Sequence, residues 1–231
     1  MRTPIIVVFL LLLTVGPRVV AQGVVKHYNP DSLPASYFDQ LKNEFGANKH
    51  YPAEFEKAIL VALSHYPELK NTPIEFVTRP NHSLGFTRVT WVGLFEKPRT
   101  RHYLIVISDY TEPMLMPLLF KHLSFNALLG ALGHELAHVA DFQSKTTWDI
   151  IGHAVKNVSA RYIDRFEFNT DAICIAHGLG YQLLEWSSFV RATMHTVNWL
   201  GPDYAHRPKN RERYMNPSTI SARMKELPMY E

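Results

Sequence analysis

Cysteine is nearly absent: Cys174 stands alone in 231 residues. An internal disulfide is therefore excluded, and stability has to come from packing or from a metal. A second long apolar run is missing too. The first covers Ile5 to Leu13 and trails off through Val15 until Gly16-Pro17 breaks it. Crossing a bilayer takes about 20 apolar residues, so this run is too short. With Arg2 before it and Val19-Val20-Ala21 after it, the segment reads as a secretory signal peptide over 1–21, cut before Gln22. The alternative is an uncleaved membrane anchor. No cysteine lies near residue 21, which argues against a lipid anchor. Nor is there an excess of one charge. Arg2 and Arg18 fall in the signal segment, leaving 22 Lys and Arg against 21 Asp and Glu, a balance of +1 with neutral His. That balance gives no reason to expect nucleic acid as a partner. Internal repeats and low-complexity segments are absent. The length of 22–231 suits a single domain.

Helical patterns are expected over 31–45 and 52–65, divided by Gly46-Ala47-Asn48. The texture then turns to β: a short strand at Ile74–Val77, and two longer ones over Gly85–Phe95 and His102–Ser108, joined by a hairpin loop at Glu96–Thr100. No convincing strand follows Ser108. Pro113 and Pro117 precede a long helical pattern reaching about Phe142. Further helical stretches lie near 159–177 and 181–200, then a polar basic loop at 203–215, then a last helix from Asn216-Pro217 to before Pro228. Helices, a small sheet, then helices indicates an α+β fold.

Chemistry concentrates in Gly133-His134-Glu135-Leu136-Ala137-His138, which contains H-E-x-x-H. Residues four apart on a helix share a face, with Cβ atoms about 5–6 Å apart, so two imidazoles there can bind one Zn²⁺. The intervening Glu can reach a water at the metal without binding the metal itself. Leu128, Leu129, Leu132, Val139 and Phe142 surround the motif, so the helix is expected to be buried. Buried His and Glu need partners, and one metal satisfies all three. A catalytic zinc has three protein ligands and an open position. A metzincin continuation needs Gly at 141 and His at 144; Asp141 and Ser144 stand there, which excludes that class. Downstream, Glu167-Phe168-Asn169-Thr170-Asp171 supplies E-x-x-x-D on a helix that also reads as buried. A solvated acidic face, or pairing with Arg161 or Arg165, is the plainer alternative.

Together the two motifs resemble the gluzincin peptidases, particularly the HtpX-like and CAAX-prenyl-protease family. The resemblance implies a zincin-like domain: a small, mainly antiparallel sheet packed on the H-E-x-x-H helix, with a helical C-terminal part. It implies zinc ligation by His134, His138 and Glu167, Glu135 as general base, and Asp171 as hydrogen-bond acceptor for His134. That family often carries His-Pro-Ser followed by Arg. Here Asn216-Pro217-Ser218 and Arg223 stand in those places, which makes Arg223 and Asn216 candidate substrate or oxyanion contacts. Asn before Pro is also a good helix cap. The membrane-spanning helices of many members, and the Asn-Ala strand segment before their motif helix, are missing here.

The expected function is zinc-dependent hydrolysis of peptide bonds in an exported peptidase, periplasmic or extracellular. One zinc per chain would activate a water, and a peptide or unfolded protein would add as a strand to the sheet edge. A non-catalytic zinc module and a zinc hydrolase of a non-peptide substrate are the alternatives. Plain readings suit the remaining polar residues: Cys174 as core, His153 and His177 as non-ligands, His206–Arg213 as a solvated loop.

Overall fold

The computed structural model describes residues 24–98, 100–201 and 211–231. The expected signal segment lies outside the described residues, as does most of the basic 203–215 loop. In chain order the elements are α1 (Ala35–Phe45), β1 (Lys49–His50), α2 (Glu56–Ser64), β2 (Ile74–Arg79), β3 (Gly85–Val89), β4 (Tyr103–Ser108), α3 (Phe125–Gln143), α4 (Thr147–Lys156), α5 (Ala160–Cys174), α6 (Gly180–Thr193) and α7 (Pro217–Lys225). The protein is mixed α+β with one small four-stranded sheet.

Strand order is β1-β2-β4-β3. The expected antiparallel pair is there, running from Gly85 opposite Ile107 to Val89 opposite Tyr103. The sheet is not mainly antiparallel, however, because β1–β2 and β2–β4 both pair parallel. The cause lies in β4. Its run Tyr-Leu-Ile-Val-Ile-Ser has no polar alternation, and every residue of it is buried. Such a strand belongs in a sheet interior, with neighbours on both sides. β3 takes one side and β2 the other, so β3 is left as a sheet edge.

Three other boundaries differ from expectation. The strand from Gly85 stops at Val89, and 93–95 is a single 3-10 turn. A Cβ at Gly93 would stand 2.6 Å from the His102 carbonyl oxygen, so the chain folds too tightly there to continue a ladder. The long helix begins only at Phe125, because Pro113 and Pro117 confine the preceding segment to short 3-10 turns. Ser124 caps it, accepting from the Ala127 N–H at 3.1 Å. The stretch near 181–200 ends as a helix at Thr193, and His195 takes a positive φ of 48°. Helix α4 was not expected at all. It starts from a capping box between Thr146 and Asp149, but of its large apolar residues only Ile150 is buried while Trp148, Ile151 and Val155 face solvent, so no core-facing stripe announces it.

Helix α3 is the axis of the molecule. α2, α5, α6 and β3 all pack on it, and Leu129, Leu132, Leu136 and Val139 have almost no exposure. Burying each such side chain contributes about 1.5–3 kcal/mol. Gly130 lets α6 come close: a Cβ there would lie 2.3 Å from the Gln182 carbonyl oxygen. One continuous apolar cluster joins these elements from Tyr28 to Met224. Among the described residues, no helix is long and apolar enough to cross a membrane.

Candidate metal centre

The buried middle of α3 carries His134, Glu135 and His138, and α5 lies across it with Glu167, Thr170 and Asp171. Glu167 Oε2 stands 3.0 Å from His134 Nε2 and 3.4 Å from His138 Nε2. Ligand atoms of a tetrahedral site with bonds of about 2.0–2.1 Å stand about 3.3 Å apart. His134, His138 and Glu167 therefore form a group that could hold a metal ion, with all three ligand atoms within 4.8 Å of one another.

The outer partners of the two rings fit this role. His134 Nδ1 is 2.8 Å from Asp171 Oδ1, and Asp171 Oδ2 accepts from the Met215 N–H at 2.7 Å. The imidazole is thus the donor at Nδ1 and presents Nε2 inward. His138 Nδ1 lies 3.2 Å from the Thr170 hydroxyl. That hydroxyl donates its own proton to the Phe166 carbonyl at 3.0 Å, so its oxygen accepts and Nδ1 carries the hydrogen. Both rings then turn Nε2 toward the same carboxylate oxygen, where a proton on His134 or a bound cation can balance its charge.

The electrostatics agree. Burial pulls the His134 pKa down, but the Asp171 and Glu167 carboxylates outweigh it and hold it well above the usual histidine range. Burial pushes Glu167 up, yet the His138 and His134 rings prevail and hold it well below the usual carboxylate range. Metal binding competes with the proton on such a ring.

Glu135 turns away from the ligand trio toward β3. The Thr87 hydroxyl sits 2.7 Å from Glu135 Oε2. Gly85 makes room for the other oxygen: a Cβ there would come within 3.0 Å of Glu135 Oε1. Burial raises the Glu135 pKa, against the pull of the His138 and His134 rings and the Thr87 hydroxyl. Beside it lies a cavity of about 50 Å³ whose walls include Phe120, His134, Glu135, Trp186, Trp199 and Tyr214. A far larger depression, about 520 Å³ between α1 and α2, gathers no ligand group and lies away from this chemistry.

The structure thus brings together five of the seven residues singled out from sequence. The other two sit apart. Arg223 is half exposed on α7 and pairs with Glu226 at 2.9 Å. Asn216 occupies the N-cap position of α7, but its side chain makes no cap. It accepts from Arg191 Nε at 2.8 Å and donates to Glu212 Oε1 and Asn198 Oδ1. Neither shares a hydrogen bond or ion pair with the ligand group. His153 packs among Phe142, Tyr162 and Phe166. His177 bonds Glu68 and stacks on Tyr66. Cys174 is fully buried, with burial pushing its thiol pKa up.

Sequence reasoning passed over Thr87, Thr170 and Tyr214. Thr170 had a local signal, three residues after Glu167 on the same helical face. Thr87 and Tyr214 reach the site only through long-range folding. The Tyr214 ring centroid lies 5.6 Å from that of His134, and burial raises its pKa so that the hydroxyl stays protonated. Comparison with protein-family models, curated proteins and solved structures returns no match for this chain.

Proposed function

We propose that the protein is a zinc-dependent endopeptidase of the gluzincin type, with a zincin-like arrangement of sheet edge and motif helix. The observation that carries this is the pairing of a three-ligand group with a fourth group, Glu135, that is buried beside it and left out of ligation. A purely structural zinc site has no use for such a carboxylate. His134, His138 and Glu167 would hold the ion, and Asp171 would keep His134 in its ligating tautomer. When bound, zinc supplies Lewis-acid polarisation of a carbonyl and acidifies water.

The chain's own residues supply the rest. Thr87 fixes Glu135 through Oε2, leaving Oε1 over Gly85 to take the proton of the attacking water and pass it to the leaving amine. The raised pKa of Glu135 suits that exchange. Tyr214 offers a protonated hydroxyl at the same cavity for the oxygen that gains charge. Among the described residues β3 has no strand on its side away from β4, and its Thr87 bonds Glu135, so an extended peptide would pair there as a further strand. An exported location, periplasmic or extracellular, belongs to the same proposal.

The test is hydrolysis of casein or a peptide library, with and without chelator, by the wild type and Glu135→Gln. Activity lost to chelator, restored by zinc, and reduced about 10²- to 10⁴-fold in Glu135→Gln at unchanged zinc content is the expected result. A zinc-loaded protein with no peptide hydrolysis refutes the peptidase assignment and leaves the non-catalytic module or a non-peptide substrate.

A further inference from the structure

Away from the metal centre, the outward face of α4 and the turn after β3 expose large apolar side chains. On α4, Trp148, Ile151 and Val155 recur at i, i+3 and i+7, one stripe of the helix, and all three are exposed. The space over the stripe is open, since a Cβ added at Gly152 would meet nothing within 4 Å. The turn after β3 exposes Trp91, Val92 and Phe95.

Arg101 fastens the two surfaces together. Fully buried, it donates from Nε to the Gly93 carbonyl at 3.2 Å, from Nη1 to the Phe142 and Lys145 carbonyls at 3.2 and 3.0 Å, and from Nη2 to Thr147 Oγ1 at 3.2 Å. Thr147 in turn donates to the Leu94 carbonyl at 2.9 Å. Phe95 and Trp148 are the next residues along the chain from that bond, so turn and helix present one patch. Exposed apolar patches on a rigid support mark interaction sites.

We infer that this patch docks the protein on the surface of an anionic lipid bilayer. Shape favours lipid over a folded partner. Phe95, Trp148 and Trp91 are 93%, 81% and 76% exposed. A side chain lining a groove is shielded by the opposite wall; these protrude, as anchors that enter a yielding headgroup layer do. Charge points the same way. Glu96 is engaged by the backbone and ring of His102, Asp141 by Lys145, and Asp149 by the Thr146 cap. Lys97, close to Phe95 in the chain, and Arg161 make no ion pair among the described residues, and Lys156, beside Val155, lies over the Tyr162 ring at 5.9 Å and feels Asp149 only through space. Cations without a close carboxylate beside protruding aromatics select anionic headgroups. With ten residues, α4 is too short to span and lies along the surface. The inference uses no residue of the proposed peptidase site and stands or falls separately from it.

The chain has four tryptophans, and Trp186 and Trp199 are buried near the metal centre, so fluorescence reports on the patch. The full chain is mixed with vesicles of phosphatidylcholine alone, or of phosphatidylcholine and phosphatidylglycerol in equal parts, with and without brominated acyl chains. Brominated anionic vesicles are expected to quench the tryptophans. Trp91→Phe with Trp148→Phe, which keeps aromatic anchors but removes the reporters, abolishes that quenching. Lys97→Gln with Lys156→Gln weakens vesicle partitioning by about tenfold or more. Quenching that is absent, that persists in the double Phe variant, or that is equal with neutral vesicles overturns the inference. So does a lipid-free dimer that shields Trp91 and Trp148 from acrylamide, which would assign the face to a second copy of the chain.

Discussion

The Thr87 hydroxyl lies 2.7 Å from Glu135 Oε2 and 3.1 Å from the carbonyl oxygen of the same residue. With one proton to give, it donates to the nearer carboxylate, tying the proposed general base on α3 to the edge strand of the sheet. Replacing Thr87 by Val keeps the shape and removes the donor. A base freed by a fraction of an ångström loses its alignment, so kcat on a peptide falls about 10- to 100-fold. The zinc content stays unchanged, because Thr87 touches no ligand. Steady-state kinetics and metal analysis on the same preparation check both halves of the prediction.

Asp171 joins His134 Nδ1 to the Met215 backbone and is almost wholly buried. Asp171→Asn keeps the volume but weakens the acceptor that fixes the ring. Metal affinity is expected to fall about 10- to 100-fold, as it does when the outer partner of a ligating histidine is lost. Competition with a chromogenic chelator measures it, and an unchanged affinity would mean that His134 is oriented by something other than this bond.

Much of this centre was legible in sequence, and the parts that were not share a physical cause. His134, Glu135 and His138 declare themselves because the α-helical repeat fixes their mutual geometry locally. Glu167 and Asp171 share a face of α5 by the same periodicity, one turn apart, and the family resemblance is what implied their separate roles. Thr87 and Tyr214 are 48 and more residues from the motif and meet it only through packing, so no local spacing encodes them. The sheet shows the same division. The β3–β4 pair was readable from its two strands, but the parallel partnership of β2 and β4 depends on which face and edge of β4 remain unfilled. Helix α4 is not legible in the sequence because only Ile150 of its large apolar residues turns to the core. Arg223 and Asn216 were placed near the site by resemblance alone, and their side chains go to Glu226 and Arg191 instead.

Tyr214 is the residue proposed for the oxyanion contact that those two were expected to make. Tyr214 lines the cavity beside Glu135, and burial keeps its hydroxyl protonated. Tyr214→Phe should lower kcat by about 10²-fold with KM and zinc content little changed, the pattern of a donor used mainly in the transition state. A rise in KM alone would make Tyr214 a substrate-binding wall rather than a donor.

His153 supplies a pH test of stability. Burial, then the charges of Lys145 and His138, lower its pKa from 6.5 to about 4. The neutral ring shares a hydrogen bond with the Tyr162 hydroxyl at 3.0 Å. Between pH 6.5 and about 4 the unfolded chain takes up the proton and the folded one does not. The stabilisation is therefore complete above pH 6.5 and lost as pH falls toward 4, by at most about 3 kcal/mol. His153→Phe removes this contribution to the slope. Urea unfolding at several pH values in that window should give a flatter profile for the variant, and parallel profiles would contradict the burial argument.

The central claim is that His134, His138 and Glu167 jointly hold one zinc ion, and metal analysis of the purified protein tests it most directly. The wild type is expected to carry about one zinc per chain, and both His138→Ala and Glu167→Gln to lose it or bind it far more weakly at unchanged secondary structure. A wild type that takes up no metal, or a Glu167→Gln variant that keeps its full zinc, would contradict the account.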